Sequence, residues 1–319
     1  MSTPETSRIQ IAVLDYQNVA LSSADWTPVT ARADVTAFSD HVADDDELVA
    51  RLEPFDVVFV MRERTPLPHN VLERLPRLRM IASTGPGNAS IDMAAADELG
   101  IHVSGTGGSV ASTVELTWAL ILASARHLVA ESRSIADGGW QTTVGLELER
   151  KVLGVLGLGR IGTRIARIGA AFGMDVVAWS QNLTAEAAAE AGAQYLPREE
   201  FFATADVLTV HLKLSERSRG LIGGPELAAM KPTALLVNTS RGPIVDEAAL
   251  VDALQSGAIA GAGLDVFDTE PLPAGHPLRT MANVTATPHI GYVADRAYGI
   301  FFRDGVAAIS EWLDGNGRG

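Results

Sequence analysis

The chain has 319 residues, no cysteine and a formal net charge of −14 at neutral pH. The length predicts about two domains, and the absence of cysteine excludes disulfides, thiolate metal ligands and cysteine nucleophiles. The acidic charge argues against nucleic acid or an anionic membrane as a partner, because neither attracts an acidic surface.

The N-terminus and the apolar runs bear on the location of the protein. Residues 1–8 lack the basic-then-apolar pattern of a signal peptide. No apolar run reaches the length of about 18 residues that a membrane span needs. We therefore expect a cytoplasmic protein without a membrane partner, and we expect no metal site.

Short apolar runs and helical patterns alternate over the first hundred residues. The runs predict strands at residues 9–14, 35–38, 57–61, 78–83 and 101–103. Helices are predicted at residues 45–52, 70–75 and 92–99. This alternation is typical of an α/β domain with a parallel sheet. The glycines of residues 105–109 then make this segment a candidate hinge.

A long helix is predicted after this segment. Ser112 and Glu115 stand at the spacing of a capping box. Apolar residues at helical spacing then mark one face of the helix, namely Val114, Trp118, Ile121, Ala125 and Leu128. The glycine-containing segment 137–140 is predicted to end it.

Residues 151–180 read as a strand, a Gly-x-Gly-x-x-Gly turn, a helix and a second strand. Gly157 permits a sharp turn, Gly159 leaves room for a pyrophosphate, and Gly162 lets helix and strand pack closely. Apolar residues at helical spacing from Ile161 to Phe172 predict that the turn opens a helix, and the unpaired backbone N–H groups at the start of this helix attract phosphates. The segment predicts a dinucleotide site. A glycine-rich turn without a ligand is the alternative, and the flanking strand and helix disfavour it.

Three polar residues stand where later apolar strands end. Strands are predicted at residues 206–211, 234–238 and 260–266; Arg241 and Glu270 follow two of these, and His289 follows a further apolar segment. Ligands bind outside the carboxyl ends of parallel strands, so the three side chains can converge there. Arginine binds a carboxylate, histidine transfers a proton near neutral pH, and a carboxylate orients that histidine. With a nicotinamide as hydride carrier, this set reduces a 2-keto acid. Each residue alone is more often structural, so spacing by itself leaves the triad open.

Several longer segments carry a family resemblance, namely 157–162, 238–246, 263–271 and 288–291. At these residues the chain resembles the D-isomer-specific 2-hydroxyacid dehydrogenases, which include phosphoglycerate, glycerate and D-lactate dehydrogenases. The resemblance implies two Rossmann-like α/β domains with parallel sheets. The substrate domain, residues 1–107 and 295–319, is flavodoxin-like and discontinuous, and its last part is a helix predicted at residues 295–313. An NAD(P)-binding Rossmann domain, residues 108–294, is inserted into it. A homodimer is also implied.

The resemblance also implies residue roles. Arg241 binds the substrate carboxylate and carbonyl, His289 is the acid/base, and Glu270 pairs with His289. Asp265 holds the nicotinamide carboxamide. Substrate contacts are expected from Gly87 and Asn88 in the loop 85–89 and from Arg62. The expected cofactor contacts are Thr113, Gly157, Gly159, Arg160, Ile161, Gly162, Ser180, His211, Thr239, Asp265 and Gly291.

Two departures from the family pattern leave specificity open. Ser180 stands where the family commonly has an aspartate for the ribose hydroxyls, and residues 177–182 hold neither an acidic nor a basic residue. The sequence therefore does not decide between NAD and NADP. Asn88 and Ala89 replace a common Val-Asp pair, so the identity of the 2-hydroxy acid is also open.

The expected activity is an NAD(P)-dependent interconversion of a 2-keto acid and a D-2-hydroxy acid. Two alternatives remain from the sequence. One is formate or phosphite oxidation on the same fold. The other is a non-catalytic, dinucleotide-sensing scaffold of the co-repressor type, although such a scaffold need not keep Arg241, Glu270 and His289.

Overall fold

A computed structural model of the chain describes residues 8–316. The terminal segment for which we predict no signal peptide lies, apart from Arg8, outside the described residues. The chain divides into two compact units. The first holds the described residues up to Ser109 and those from Val293 onward, and the second runs from Val110 to Tyr292.

The first unit is built on a parallel sheet of five strands. Its strands are β1 (Ile9–Leu14), β2 (Ala33–Phe38), β3 (Val57–Val60), β4 (Met80–Ser83) and β5 (His102–Gly105). They lie in the order β2-β1-β3-β4-β5, which is the flavodoxin-like order. The helices of its N-terminal part are α1 (Ala20–Ser23), α2 (Thr27–Thr30), α3 (Asp45–Leu52), α4 (His69–Leu72) and α5 (Met93–Glu98).

The second unit is built on a parallel sheet of seven strands. Its helices are α6 (Val110–Ala125), α7 (Leu128–Ala136), α8 (Arg160–Ala171), α9 (Ala185–Glu190), α10 (Arg198–Thr204), α11 (Gly224–Ala229) and α12 (Glu247–Ser256). Its strands are β6 (Val152–Leu156), β7 (Asp175–Trp179), β8 (Gln194–Tyr195), β9 (Val207–Val210), β10 (Leu235–Asn238), β11 (Gly261–Leu264) and β12 (Val284–Ala286). The order β12-β11-β10-β9-β6-β7-β8 contains the Rossmann arrangement. In it, successive strands are added on one side of β6 as far as β8, and from β9 onward on the other side of β6. The predicted fold class is confirmed.

The last helix, α13 (Asp295–Asn316), belongs to the first unit and packs against its sheet. Phe302 meets Phe59 of β3 edge-on, with ring centroids 5.5 Å apart. A Cβ added at Gly305 would lie 2.4 Å from the Phe59 ring. Glycine is therefore required where this helix crosses the sheet, because any side chain would displace a buried aromatic ring.

Two predictions about the long helix are wrong. Ser112 lies inside α6, which already begins at Val110, so Ser112 and Glu115 do not form a capping box. The helix also does not continue to residue 137, because His127 adopts a left-handed backbone with φ of 50° and separates α6 from α7. Leu128 consequently leaves the buried face and is 53% exposed.

Candidate active site

The glycine turn between β6 and α8 fits a dinucleotide. Gly157 has φ of 98°, a conformation that L side chains rarely adopt. A Cβ at Gly162 would lie 2.0 Å from the carbonyl oxygen of Gly157, so only glycine permits this approach of helix to strand. A Cβ at Gly159 would meet no atom within 4 Å. The space beside Gly159, at the start of α8 with Arg160 and Ile161, is therefore open to a pyrophosphate.

The other predicted cofactor contacts lie at the same edge of the sheet. Ser180 directly follows β7, His211 follows β9, Thr239 follows β10 and Asp265 follows β11. All these strands are parallel, so their carboxyl ends meet at one edge, beside the glycine turn. The Gly157 N–H donates to the carbonyl of Trp179 at 3.0 Å, which joins the glycine turn to the end of β7.

His211 is a neutral residue of this edge. Its Nε2 lies 2.8 Å from the Thr209 hydroxyl. Burial lowers the pKa of the His211 imidazole to about 3. The ring therefore stays uncharged at neutral pH and contributes shape and hydrogen bonding without a positive charge.

Two threonines from α6 connect this helix to the strand ends. The Thr113 hydroxyl donates to the carbonyl of Gly291 at 3.1 Å. The Thr117 and Thr239 hydroxyls lie 2.8 Å apart in a buried position. Among the predicted cofactor residues, the structure thus brings Thr113 and Gly291 into direct contact.

Asp265 fastens the loop that carries His289. Its carboxylate accepts hydrogen bonds from the Thr287 hydroxyl at 2.6 Å and from the N–H groups of Ile290 and Gly291 at 2.8 Å each. Burial raises the pKa of Asp265, and the hydrogen bonds from Thr287 and the two N–H groups oppose that rise. The family resemblance implies only a cofactor contact for Asp265, whereas in the structure its carboxylate also binds residues on both sides of His289.

His289 and Glu270 form a close pair. Nδ1 of His289 lies 2.6 Å from Oε2 of Glu270. The other carboxylate oxygen accepts the N–H of Phe267 at 2.9 Å. The side chains are 15% and 33% exposed respectively, so the pair is reachable from solvent. His289 has φ of 53°, a conformation that costs a non-glycine residue energy and that clusters at functional sites.

Arg241 lies in a segment that abuts the Glu270 loop. A Cβ at Gly242 would lie 2.1 Å from the carbonyl carbon of Phe267, so the two backbones are in direct contact. The buried Asn238 amide donates to the Arg241 carbonyl at 3.0 Å and fixes the turn after β10. The Arg241 guanidinium donates to the Ser240 carbonyl at 2.7 Å. Gly242 and Asn238 were not predicted as site residues, although both lie in the segment 238–246 that carries the family resemblance.

The predicted substrate residues of the first unit form a second cluster. Asn88 donates from its amide to the Arg62 carbonyl at 2.7 Å and to the Ser83 hydroxyl at 3.1 Å. The Arg62 guanidinium packs against Gly85, where an added Cβ would lie 3.5 Å from Nη1. Arg62 has φ of 45° and Gly85 has φ of 82°. Gly87 has open space at its Cβ position. Arg62, Gly87 and Asn88 therefore belong to one loop cluster after β3 and β4.

Metal sites and membrane-spanning helices are two further features that the described residues lack. Within residues 8–316, no three histidine, aspartate or glutamate side chains come together in a way that could hold a metal ion. None of the helices in the described part of the chain has the length and apolarity needed to cross a bilayer.

Comparison with known proteins identifies the family to which this chain belongs. The family model for the D-isomer specific 2-hydroxyacid dehydrogenase, NAD binding domain, matches residues 118–291. A glyoxylate reductase of Aeropyrum pernix is 45% identical over 230 residues, which are 69% of each chain. A D-3-phosphoglycerate dehydrogenase of Methanocaldococcus jannaschii is 38% identical over 79% of this chain and 48% of its own length. The chain therefore belongs to the D-isomer specific 2-hydroxyacid dehydrogenase family.

A solved structure agrees over nearly the whole chain. The phosphoglycerate oxidoreductase of Vibrio cholerae o395 superposes with a TM-score of 0.92 at 37% identity, over 97% of this chain and 99% of that one. The predicted class, an NAD-dependent oxidoreductase of 2-hydroxy acids, is confirmed. The relatives do not favour formate or phosphite oxidation or a co-repressor scaffold.

Proposed function

We propose that this chain reduces a small 2-keto acid to the D-2-hydroxy acid, with His289 as the proton donor. The observation that carries this proposal is the 2.6 Å contact between Nδ1 of His289 and Oε2 of Glu270. A carboxylate is an acceptor only, so Nδ1 carries the hydrogen of this contact. Within residues 110–292, no hydrogen bond engages Nε2, which is left to exchange a proton with the substrate oxygen.

The Glu270 carboxylate orients the ring and favours its protonated form. Its second oxygen accepts the Phe267 N–H, and this bond stabilises the orientation of the carboxylate toward His289. Asp265 fixes the backbone on both sides of His289. A bound nicotinamide dinucleotide supplies the hydride. His289 gives its Nε2 proton to the carbonyl oxygen during reduction and takes a proton from the hydroxyl during oxidation.

Arg241 supplies the charge that the substrate needs. Its guanidinium has a planar fork that matches a carboxylate and polarises the neighbouring carbonyl oxygen. The close approach of Gly242 to Phe267 keeps this segment beside the Glu270 loop. We infer that Arg241 binds the substrate carboxylate and carbonyl. In the first unit, the substrate contacts expected from Arg62, Gly87 and Asn88 stay a prediction; Asn88 there donates from its amide to the Arg62 carbonyl at 2.7 Å.

The glyoxylate reductases among the relatives support a small side chain on the substrate. Besides the Aeropyrum pernix protein, a glyoxylate reductase of Thermococcus litoralis is 38% identical over 249 residues. Glyoxylate, in which hydrogen occupies the side-chain position, is the substrate we propose for this chain; its product, glycolate, is achiral, so the D configuration applies to the products of larger 2-keto acids.

A homodimer is part of this proposal. The helix α7 and the segment after it expose large apolar side chains, namely Leu128 (53%), Val129 (55%), Ile135 (57%), Trp140 (73%) and Val144 (94%). Large exposed apolar side chains grouped in one segment favour an association surface, and we propose that a second copy of the chain covers this segment. Light scattering of the purified chain tests the point. A dimer that Trp140→Ser converts to a monomer supports it, and a monomeric wild type contradicts it.

Turnover with a panel of 2-keto acids tests the proposed activity. Glyoxylate, hydroxypyruvate, pyruvate and phenylpyruvate differ only in the group attached to the keto carbon, and each is offered with NADH and with NADPH. We expect glyoxylate to give the highest kcat/KM. Silence with every acid, while the coenzyme binds, would contradict the reductase assignment. A preference for phenylpyruvate would contradict the small substrate.

A further inference from the structure

The end of β7 offers no carboxylate to the ribose of a bound dinucleotide. Residues 177–182 read Val-Ala-Trp-Ser-Gln-Asn, without an acidic side chain. An acidic residue at this place accepts the 2′-hydroxyl of NAD and repels the 2′-phosphate of NADP. Neither effect operates at Ser180, so a positive charge delivered from elsewhere would decide the coenzyme.

The structure brings the backbone of Arg217, from a distant part of the chain, to this place. The Gln181 amide donates to the backbone carbonyl of Arg217 at 3.1 Å. The loop between β9 and α11 therefore reaches the end of β7. Both Gln181 and Arg217 are exposed, so the contact lies at the protein surface, beside the carboxyl ends of the strands where the coenzyme is expected.

The loop is held in a defined shape. The buried Ser218 hydroxyl accepts the Ser215 N–H at 2.8 Å and donates to the Lys213 carbonyl at 2.7 Å. The Arg219 N–H donates to the Ser215 carbonyl at 2.9 Å. These bonds fix the turn on both sides of Arg217. Its backbone position beside Gln181 is thus built into the loop.

The charge of Arg217 is available to a ligand. Within the described range 8–316, the Arg217 guanidinium forms no salt bridge or hydrogen bond, and Lys213 on the same loop has no ion pair. Residues 211–219 carry Lys213, Arg217 and Arg219 against Glu216 as the single carboxylate. The loop is therefore locally basic in a chain whose net charge is −14.

We propose that Arg217 binds the 2′-phosphate of NADPH and makes this chain an NADPH-preferring enzyme. The inference rests on the proposed reductase function for its biological use, but not for its test. A guanidinium binds a phosphate through charge-assisted hydrogen bonds, and the 2′-phosphate distinguishes NADPH from NADH. Gln181 positions the loop, and Arg217 supplies the charge.

Coenzyme affinity, measured without any keto acid, tests the proposal. Dissociation constants for NADPH and NADH are obtained from coenzyme fluorescence for the wild type and for Arg217→Ala. We expect the wild type to bind NADPH more tightly than NADH. Arg217→Ala should weaken NADPH binding by about ten-fold and change NADH binding by less than about two-fold, as the loss of one exposed charge-assisted contact requires. Arg167→Ala, which removes an exposed arginine from α8, is the matched control and should change neither.

Two further measurements distinguish a contact to the 2′-phosphate from a contact to the part of the coenzyme that NADH and NADPH share. The fragment 2′,5′-ADP should compete with NADPH more strongly than 5′-AMP, and Arg217→Ala should remove that difference. Added salt should weaken NADPH binding more than NADH binding in the wild type only, because exposed charge pairs are screened. Equal weakening of both coenzymes by Arg217→Ala, no weakening of either, or a wild type that prefers NADH would each overturn the proposal. A chain that binds NADPH but reduces no keto acid would instead contradict the reductase function alone.

Discussion

The Glu270 carboxylate joins the His289 ring to the backbone of its own loop. One oxygen lies 2.6 Å from Nδ1 of His289, and the other accepts the N–H of Phe267 at 2.9 Å. The backbone after β11 therefore determines which way the imidazole faces. This arrangement leaves Nε2 as the atom for proton transfer. One oxygen of Glu270 contacts His289, and the other fixes the carboxylate to the backbone at Phe267.

Glu270→Gln should lower turnover strongly while the fold is kept. The amide has nearly the shape of the carboxylate but does not stabilise a charged imidazole. Because general acid catalysis contributes about 10²–10⁴-fold, we expect kcat to fall by at least about 10²-fold. Steady-state kinetics with glyoxylate measure the loss, and circular dichroism checks the fold. A kcat close to that of the wild type would remove Glu270 from the catalytic pair.

Asp265→Asn should affect both stability and turnover. The carboxylate accepts hydrogen bonds from Thr287, Ile290 and Gly291, whereas an amide has only one accepting oxygen. A buried N–H left without a partner costs about 1–3 kcal/mol in the free energy of unfolding. Urea unfolding measures this loss, and kcat should fall with it because the loop holding His289 loosens. Asp268→Asn, in the same region but without the bonds to Ile290 and Gly291, is the control. Equal stability losses in the two variants would contradict the account.

Two glycine substitutions should separate folding from coenzyme binding. A Cβ at Gly162 meets the Gly157 carbonyl oxygen at 2.0 Å, whereas a Cβ at Gly159 meets nothing within 4 Å. Gly162→Ala should therefore destabilise the chain by about 3 kcal/mol or more, since the neighbour is backbone. Gly159→Ala should keep wild-type stability and bind NADH and NADPH less tightly. Thermal unfolding and coenzyme titration test the pair. The reverse assignment of the two defects would contradict the pyrophosphate site.

His211 should make stability depend on pH. Burial lowers its folded-state pKa from 6.5 to about 3, so between these values the unfolded chain binds a proton that the folded chain does not. Stability is therefore lost as the pH falls from 6.5 toward 3. Wild type should lose more unfolding free energy than His211→Gln on acidification, by at most about 1.4 kcal/mol per pH unit. Urea unfolding without coenzyme at about pH 7 and about pH 5 measures both. Identical losses in the two proteins would show that His211 titrates normally.

The sequence was sufficient for the features that local chemistry determines. The apolar run of β1 and the helix α3 lie where they were predicted, because a buried parallel strand and an acidic helix start leave direct marks in sequence. The glycine turn was also predicted from the sequence, because the turn, the phosphate space and the close packing of helix and strand each require a glycine. The order of polar residues after strands located His289, Glu270 and Arg241, although their roles remain proposals.

Features that depend on distant parts of the chain could not be read. The strand β8 has only two residues, Gln194 and Tyr195, and exists through its pairing with β7. The break between α6 and α7 at His127 could not be predicted, because no glycine or proline stands there to indicate the end of a helix. The hydrogen bond between Gln181 and Arg217 joins residues 36 positions apart. The bonds of Asp265 to the His289 loop likewise arise only when β11 and β12 pair.

The most direct test of the account compares His289→Ala with the wild type. Glyoxylate reduction and coenzyme affinity are measured on the same preparations. We expect kcat to fall by about 10²–10⁴-fold, the contribution of a general acid, while the dissociation constants for NADH and NADPH change by less than about two-fold. A variant that keeps wild-type turnover, or one whose main defect is coenzyme binding, would contradict the assignment of His289 as the proton donor.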